Sequence, residues 1–202
     1  MNFLVLVFSY LLGSVNFAYI TARIKGIDIS SSGSGNPGTS NVLRTLGKSS
    51  AAIVLLGDLL KGAIPIIFFS NDKYFLLYGL AAVLGHIYPL FYKFKGGKGV
   101  ATYLGVYIAA VLLNPNNSEL LNLEIFQILN IPAIALFYFL LFKTTRVSAI
   151  ASLSTVVTTV AILIFVNNEI ENILILLTLL FLIFLKHSEN IKRLAEGKEN
   201  KF

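Results

Sequence analysis

The sequence predicts an all-α membrane protein, a polytopic transmembrane helix bundle of about seven spans with its amino terminus outside and its carboxyl terminus cytoplasmic. Three observations predict it. Charged residues make up only 13% of the 202 and hydrophobic residues 56%, whereas a soluble domain carries about a quarter charged residues. The apolar residues gather into long runs separated by short polar islands, the pattern of helices crossing a bilayer. The basic residues, finally, fall almost entirely into alternate islands.

A span needs about 20 residues, at about 1.5 Å each, to cross a hydrocarbon core of about 30 Å. Seven runs qualify or nearly do: 3–22, 51–69, 74–91, 100–113, 125–142, 148–166 and 170–185. The fourth is short and the seventh marginal, and a five-span arrangement stays open if either lies in the interface or re-enters. The opening MNFLVLVF has no basic n-region and no Ala-x-Ala site, so it reads as a retained first span. One membrane domain over residues 1–202 is expected at this length.

With the amino terminus outside, loops 23–50, 92–99 and 143–147 and the tail 186–202 lie inside. They hold 14 of the 16 basic residues: Arg23, Lys25, Arg44, Lys48, Lys93, Lys95, Lys98, Lys143, Arg146, Lys186, Lys192, Arg193, Lys198 and Lys201. Lys73 falls outside and Lys61 within a span, while Asp72, Glu119, Glu124, Glu169 and Glu171 all fall outside. This satisfies the positive-inside rule and accounts for the net charge of +6 without nucleic acid. The outer loop 114–122 reads as a plain surface connection, and every glycine-rich or His-bearing island is cytoplasmic. The absence of cysteine excludes disulfides, thiolate metal sites and a cysteine acyl-enzyme.

Four segments carry chemistry. In SSGSGNPGTSNVLRTLG, residues 31–47, glycines and hydroxyl side chains make a loop whose N–H groups can converge on an anion. A helix beginning near Thr39 or Ser40 would aim its positive end there. A plain Gly/Ser linker has no reason to hold Asn36-Pro37 or to run into an Arg-bearing turn. Nor is it a Walker A loop, since the lysine position, six after Gly33, is Thr39. In GHIYPLFYKFKGGKGVAT, residues 85–102, Lys98 lies among Gly96, Gly97 and Gly99, and glycines let backbone approach a phosphate. Lys93 and Lys95 are the flanking charges that topology alone demands, and His86 suits a structural hydrogen bond as well as catalysis.

In the tail, His187, Asn190, Ile191 and Leu194 share one helical face. Glu189 can pair with Arg193, Gly197 is placed to stop the helix, and the segment also suits an interfacial amphipathic helix. Within the second span Asp58 and Lys61, three apart, read as a mutually neutralising pair rather than direct chemistry.

Together these segments resemble the bacterial acyl-phosphate:glycerol-3-phosphate acyltransferases. The resemblance runs from the first cytoplasmic loop to the tail, in order. It is carried by 32–38 with Asn41 and Arg44, by Gly57-Asp58 with Lys61-Gly62, by Gly85-His86, Pro89 and Phe91 followed by 95–102, and by His187, Asn190-Ile191, Arg193-Leu194, Gly197 and Glu199. It implies transfer of a fatty acyl group from acyl phosphate to the 1-hydroxyl of glycerol-3-phosphate, giving lysophosphatidate and phosphate in phospholipid synthesis.

The catalytic residues it implies are Ser34, Lys98, His187 and Asn190. Substrate and phosphate would be bound by Gly33, Gly35, Asn36, Gly38, Asn41, Arg44, Gly96, Gly97, Lys98, Gly99, Arg193 and Glu199. No cofactor is implied, and no metal, because no carboxylate or histidine cluster has ligand spacing. The implied location is the bacterial cytoplasmic (inner) membrane, with the site facing the cytoplasm. The partners are the two substrates, membrane lipid and an acyl-phosphate-forming enzyme that hands over the donor.

Acyl phosphate is already activated, so direct attack in a ternary complex suffices. The base is His187, His86 or a substrate phosphate. The His-x-x-x-x-Asp pair of another acyltransferase class is absent, since Phe91 and Lys192 stand five residues after the two histidines. Two non-enzymatic alternatives are a transporter for a phosphorylated solute, which would place its site near the bilayer midplane, and a lipid-binding membrane subunit.

Overall fold

The computed structural model describes residues 1–113, 123–166 and 169–202, leaving aside the side chains of 123–128; the expected outer loop 114–122 lies outside the described residues. Among them are ten α-helices, one 3₁₀ turn at Leu90–Tyr92, and no strand. The helices are α1 (Phe3–Ser14), α2 (Phe17–Ile24), α3 (Thr39–Leu46), α4 (Lys48–Phe69), α5 (Phe75–Ile87), α6 (Val100–Leu113), α7 (Leu123–Thr145), α8 (Ser148–Val166), α9 (Ile170–Lys186) and α10 (Ser188–Ala195).

Every predicted apolar run is largely helical. Among the described residues, four segments are long and apolar enough to cross a membrane: Phe3–Ile24, Lys48–Phe69, Phe75–Tyr92 and Ser148–Val166. α9 with α10, bent by 57°, makes a fifth if the pair counts as one span, and Val100–Leu113 is a shorter apolar helix. Large apolar side chains such as Phe3, Leu56, Phe68, Phe165 and Phe181 point outward, an exterior suited to lipid.

The chain divides into two compact units, Met1–Ala109 and Ala110–Phe202. In the first, the leading span is broken. The Asn2 side chain accepts the Leu4 N–H and starts α1. Asn16 then accepts the Tyr19 N–H and starts α2 afresh, because an asparagine offers the backbone a cap in place of continued helix. Glycines bring helix backbones together in this unit. A methyl at Gly13 would collide with the Ala82 backbone, and one at Gly85 with the Tyr10 carbonyl, so α1 and α5 pack at van der Waals contact. Gly62 against Thr102 and Gly105 against Leu59 join α4 and α6 in the same way. Val54, Leu76, Val83, Tyr103 and Val106 fill the interior.

The second unit packs α7, α8 and α9 around Val156, Leu163, Leu176, Leu179 and Ile183. α7 and α8 meet at Arg146, whose φ of 59° turns the corner. The chain end is fastened there: the Phe202 N–H donates to the Arg146 carbonyl at 2.9 Å, and its ring meets Phe142 edge-on at 5.2 Å. The tail helix ends as the sequence predicts. Gly197, at φ 69°, lets Lys198 N–H reach the Arg193 carbonyl at 2.8 Å and Gly197 N–H the Leu194 carbonyl at 3.1 Å, a Schellman cap. It does not run straight on from α9, because the chain turns at His187.

Candidate active site

The first glycine-rich loop is built around Asn41, one turn into α3 and 1% exposed. Its Oδ1 accepts the Ser34 N–H at 2.8 Å. Its Nδ2 donates to the Ser32 carbonyl at 2.9 Å and points at the Ile29 carbonyl at 3.4 Å. Gly33 (φ 57°) and Gly35 (φ 70°) lie in the left-handed region, and a side chain on Gly33 would collide with the Asn41 amide. The loop therefore needs glycine for both conformation and space. Asp28 opens it. The Ser30 hydroxyl and N–H, then Ser31, donate to this carboxylate and hold it below the usual range.

Gly38 caps α3 with no side-chain bond, and its carbonyl accepts the Asn41 and Val42 N–H groups at 3.1 Å, so the N–H groups of Thr39 and Ser40 are the ones a helix start leaves over. The Thr39 hydroxyl beside them is buried and has no protein partner among the described residues. Ser34 and Arg44 are exposed, and Asn36 is half-buried.

The second glycine-rich loop follows the 3₁₀ turn. Lys93 (φ 52°) and Phe94 (φ 60°) are left-handed without being glycine, a strain that the surrounding turn must hold in place. Gly96 packs on the His86 carbonyl and Pro89, and the Gly97 N–H donates to the His86 carbonyl at 3.2 Å. Gly99, at φ 86°, accepts the Tyr103 N–H at 2.8 Å and starts α6. Lys98 is half-buried immediately before that helix. Each glycine-rich loop thus leads into a helix N-terminus. The two loops touch: a methyl at Gly97 would lie 3.1 Å from the Pro37 carbonyl, toward which Asn16 Nδ2 also points at 3.5 Å.

Beneath them lies a buried charged cluster. Lys61 Nζ is 2.9 Å from Asp58 Oδ1, the pairing expected from the sequence. It also donates to the Val15 carbonyl at 2.8 Å, in the break of the first span. His86 Nδ1 lies 3.5 Å from the same Asp58 oxygen, and the Nε2 edge of its ring abuts Gly97. His86 is 3% exposed, so its ring is engaged on two sides inside the protein.

The second unit holds the remaining residues. His187, 3% exposed at the bend, donates Nδ1–H to the Ile183 carbonyl at 2.7 Å. Asn190 Nδ2 donates to Glu199 Oε1 at 2.9 Å and Arg193 Nε to Glu199 Oε2 at 2.8 Å. The expected Glu189–Arg193 pair is present but longer, at 3.8 Å. Asn41 and Glu199, expected among the substrate-binding residues, spend polar atoms on the first loop and on α10 respectively. Thr39 was expected only as a helix start and Asn16 was not singled out, although each is a small polar residue where a helix begins.

In the first unit, two glycine loops open on helix N-termini with Lys98 and Arg44 beside them, an arrangement suited to phosphate. The family model described as glycerol-3-phosphate acyltransferase matches residues 3–197. The chain belongs to that family. It is 38% identical to the glycerol-3-phosphate acyltransferase of Aquifex aeolicus, covering 97% of this chain and 96% of that one. It is 41% identical to that of Bacillus cytotoxicus, with coverages of 99% and 94%. Its fold resembles the crystal structure of PlsY (YgiH), an integral membrane glycerol 3-phosphate acyltransferase, in its glycerol 3-phosphate form. The TM-score is 0.80 at 34% identity, over 98% of this chain and 94% of that one. The lysophosphatidic acid form gives 0.79 at 36% identity over the same shares. Like these family members, the chain is a multi-pass membrane protein with an all-helical fold.

Proposed function

We propose that the chain transfers a fatty acyl group from acyl phosphate to the 1-hydroxyl of glycerol-3-phosphate, at the cytoplasmic face of a bacterial inner membrane. The carrying observation is the contact between two glycine-rich loops at Pro37 and Gly97, each opening on a helix N-terminus. Both substrates bear a phosphate, and paired loops of this kind suit two small anions.

In this reading residues 1–202 act as one acyltransferase domain of seven spans, amino terminus outside and tail inside, as the distribution of basic residues favours. Ser34, Arg44 and Lys98 of the first unit and His187 and Asn190 of the second are the residues that serve the reaction. The loop amides hold the phosphates, and Arg44 and Lys98 offset the charge of the tetrahedral carbon. The hydroxyl oxygen attacks the acyl carbon and the carbon–oxygen bond to phosphate breaks. Inorganic phosphate leaves, and the hydroxyl proton passes to His187 Nε2. His86 does not serve as base, because its ring lies between Asp58 and Gly97. Asn190, Arg193 and Glu199 fix α10 against the tail. An acyl-phosphate-forming enzyme supplies the donor.

The test supplies purified protein, after EDTA treatment, with glycerol-3-phosphate and acyl phosphate, acyl-CoA or acyl carrier protein in turn. Lysophosphatidate should form from acyl phosphate and little or none from the others. Faster turnover with acyl-CoA would overturn the reading.

A further inference from the structure

We propose that Asp58, Lys61 and His86 are positioning residues that set the two glycine-rich loops against each other for phosphate binding; this rests on the function proposed above. Charges at membrane depth are costly, and removing one partner of such a pair leaves the other uncompensated. Neutralisation within α4 needs only the Asp58–Lys61 contact. Two further contacts leave that helix. Lys61 reaches the Val15 carbonyl, which the break of the first span exposes, and His86 turns Nδ1 to Asp58.

Both contacts lead to a loop. From the break, Asn16 reaches toward the Pro37 carbonyl in the first loop. From α5, the His86 carbonyl accepts the Gly97 N–H and its ring covers Gly97 in the second. The cluster therefore sits under both sides of the Pro37–Gly97 contact. Because the loops hold phosphate in ground and transition states alike, disturbing the cluster weakens binding more than turnover.

The experiment uses the purified full-length chain with saturating acyl phosphate and varied glycerol-3-phosphate. Lys61→Met should raise KM for glycerol-3-phosphate about tenfold while kcat changes less than threefold. The second arm is a double-mutant cycle. Gly97→Ala should lower kcat/KM about 100-fold, because its methyl collides with the His86 ring. Adding His86→Asn, whose amide keeps a polar group toward Asp58 and removes the colliding edge, should recover at least tenfold. Where Gly97→Ala reduces folded yield, the same suppression is read as recovered yield. Losses that add in the double variant, or a fall confined to kcat in Lys61→Met, would overturn the proposal. An inactive wild-type chain would overturn the functional reading and this inference with it; additive losses in an active chain overturn only the inference.

Discussion

Replacing Asn41 by alanine should damage glycerol-3-phosphate binding without touching a ligand. The side chain makes two well-formed bonds to the first loop, at 2.8 Å to Ser34 N–H and 2.9 Å to the Ser32 carbonyl; the third, at 3.4 Å, counts for little. A net contribution of about 1 kcal/mol per bond gives about 2 kcal/mol of loop stability. If the loop must be ordered to bind, that raises KM about 30-fold. Asn41→Asp should be no better than alanine. Its carboxylate can still accept the Ser34 N–H, but it faces the Ser32 and Ile29 carbonyls with no donor. The assay is phosphate release against glycerol-3-phosphate concentration in detergent, with thermal unfolding in parallel. A normal KM for Asn41→Ala, or an aspartate variant more active than alanine, would refute this account of the loop.

Glu199→Gln keeps the shape of the tail anchor but loses charge-assisted bonding to Arg193, so activity should fall about tenfold, measured as kcat with both substrates saturating. Asp72, held below the usual carboxylate range by donation from the Tyr78 hydroxyl and then the Tyr74 N–H, ties α5 to the start of the chain, because the Asn2 N–H donates to that same hydroxyl at 3.0 Å. Its contribution is full above the ordinary value near pH 4 and is lost as pH falls through the lowered folded value. Asp72→Asn should therefore lower the melting temperature at pH 7, with the gap closing near pH 3. The chain has no cysteine, so single cysteines at the half-buried Asn36 and the exposed Lys95 report topology directly. They should react with impermeant maleimide only from the cytoplasmic side, and labelling from outside would reverse the orientation.

The helices were legible because apolar runs of span length admit few other structures. The break at Asn16 was not, because one polar residue within the run 3–22 leaves its apolar character intact while recapping the backbone. The bend at His187 escaped similarly, since a polar residue on a continuing helical face carries no angle. In the first loop the need for glycine was readable, but the inward aim of Asn41 was not: side-chain direction on a short helix depends on how the loop folds over it. The Asp58–Lys61 pairing could be read from a spacing of three. Its further partners, the Val15 carbonyl and His86, are distant in sequence and visible only in three dimensions. The same holds for the place of His86, whose ring lies beside Asp58 and against Gly97.

The most direct test of the central claim is the stoichiometry of phosphate release by the purified chain in lipid vesicles supplied with acyl phosphate. The account predicts release that depends on glycerol-3-phosphate and matches lysophosphatidate mole for mole. Uptake of glycerol-3-phosphate into the vesicles with no lysophosphatidate formed would contradict it and point to transport.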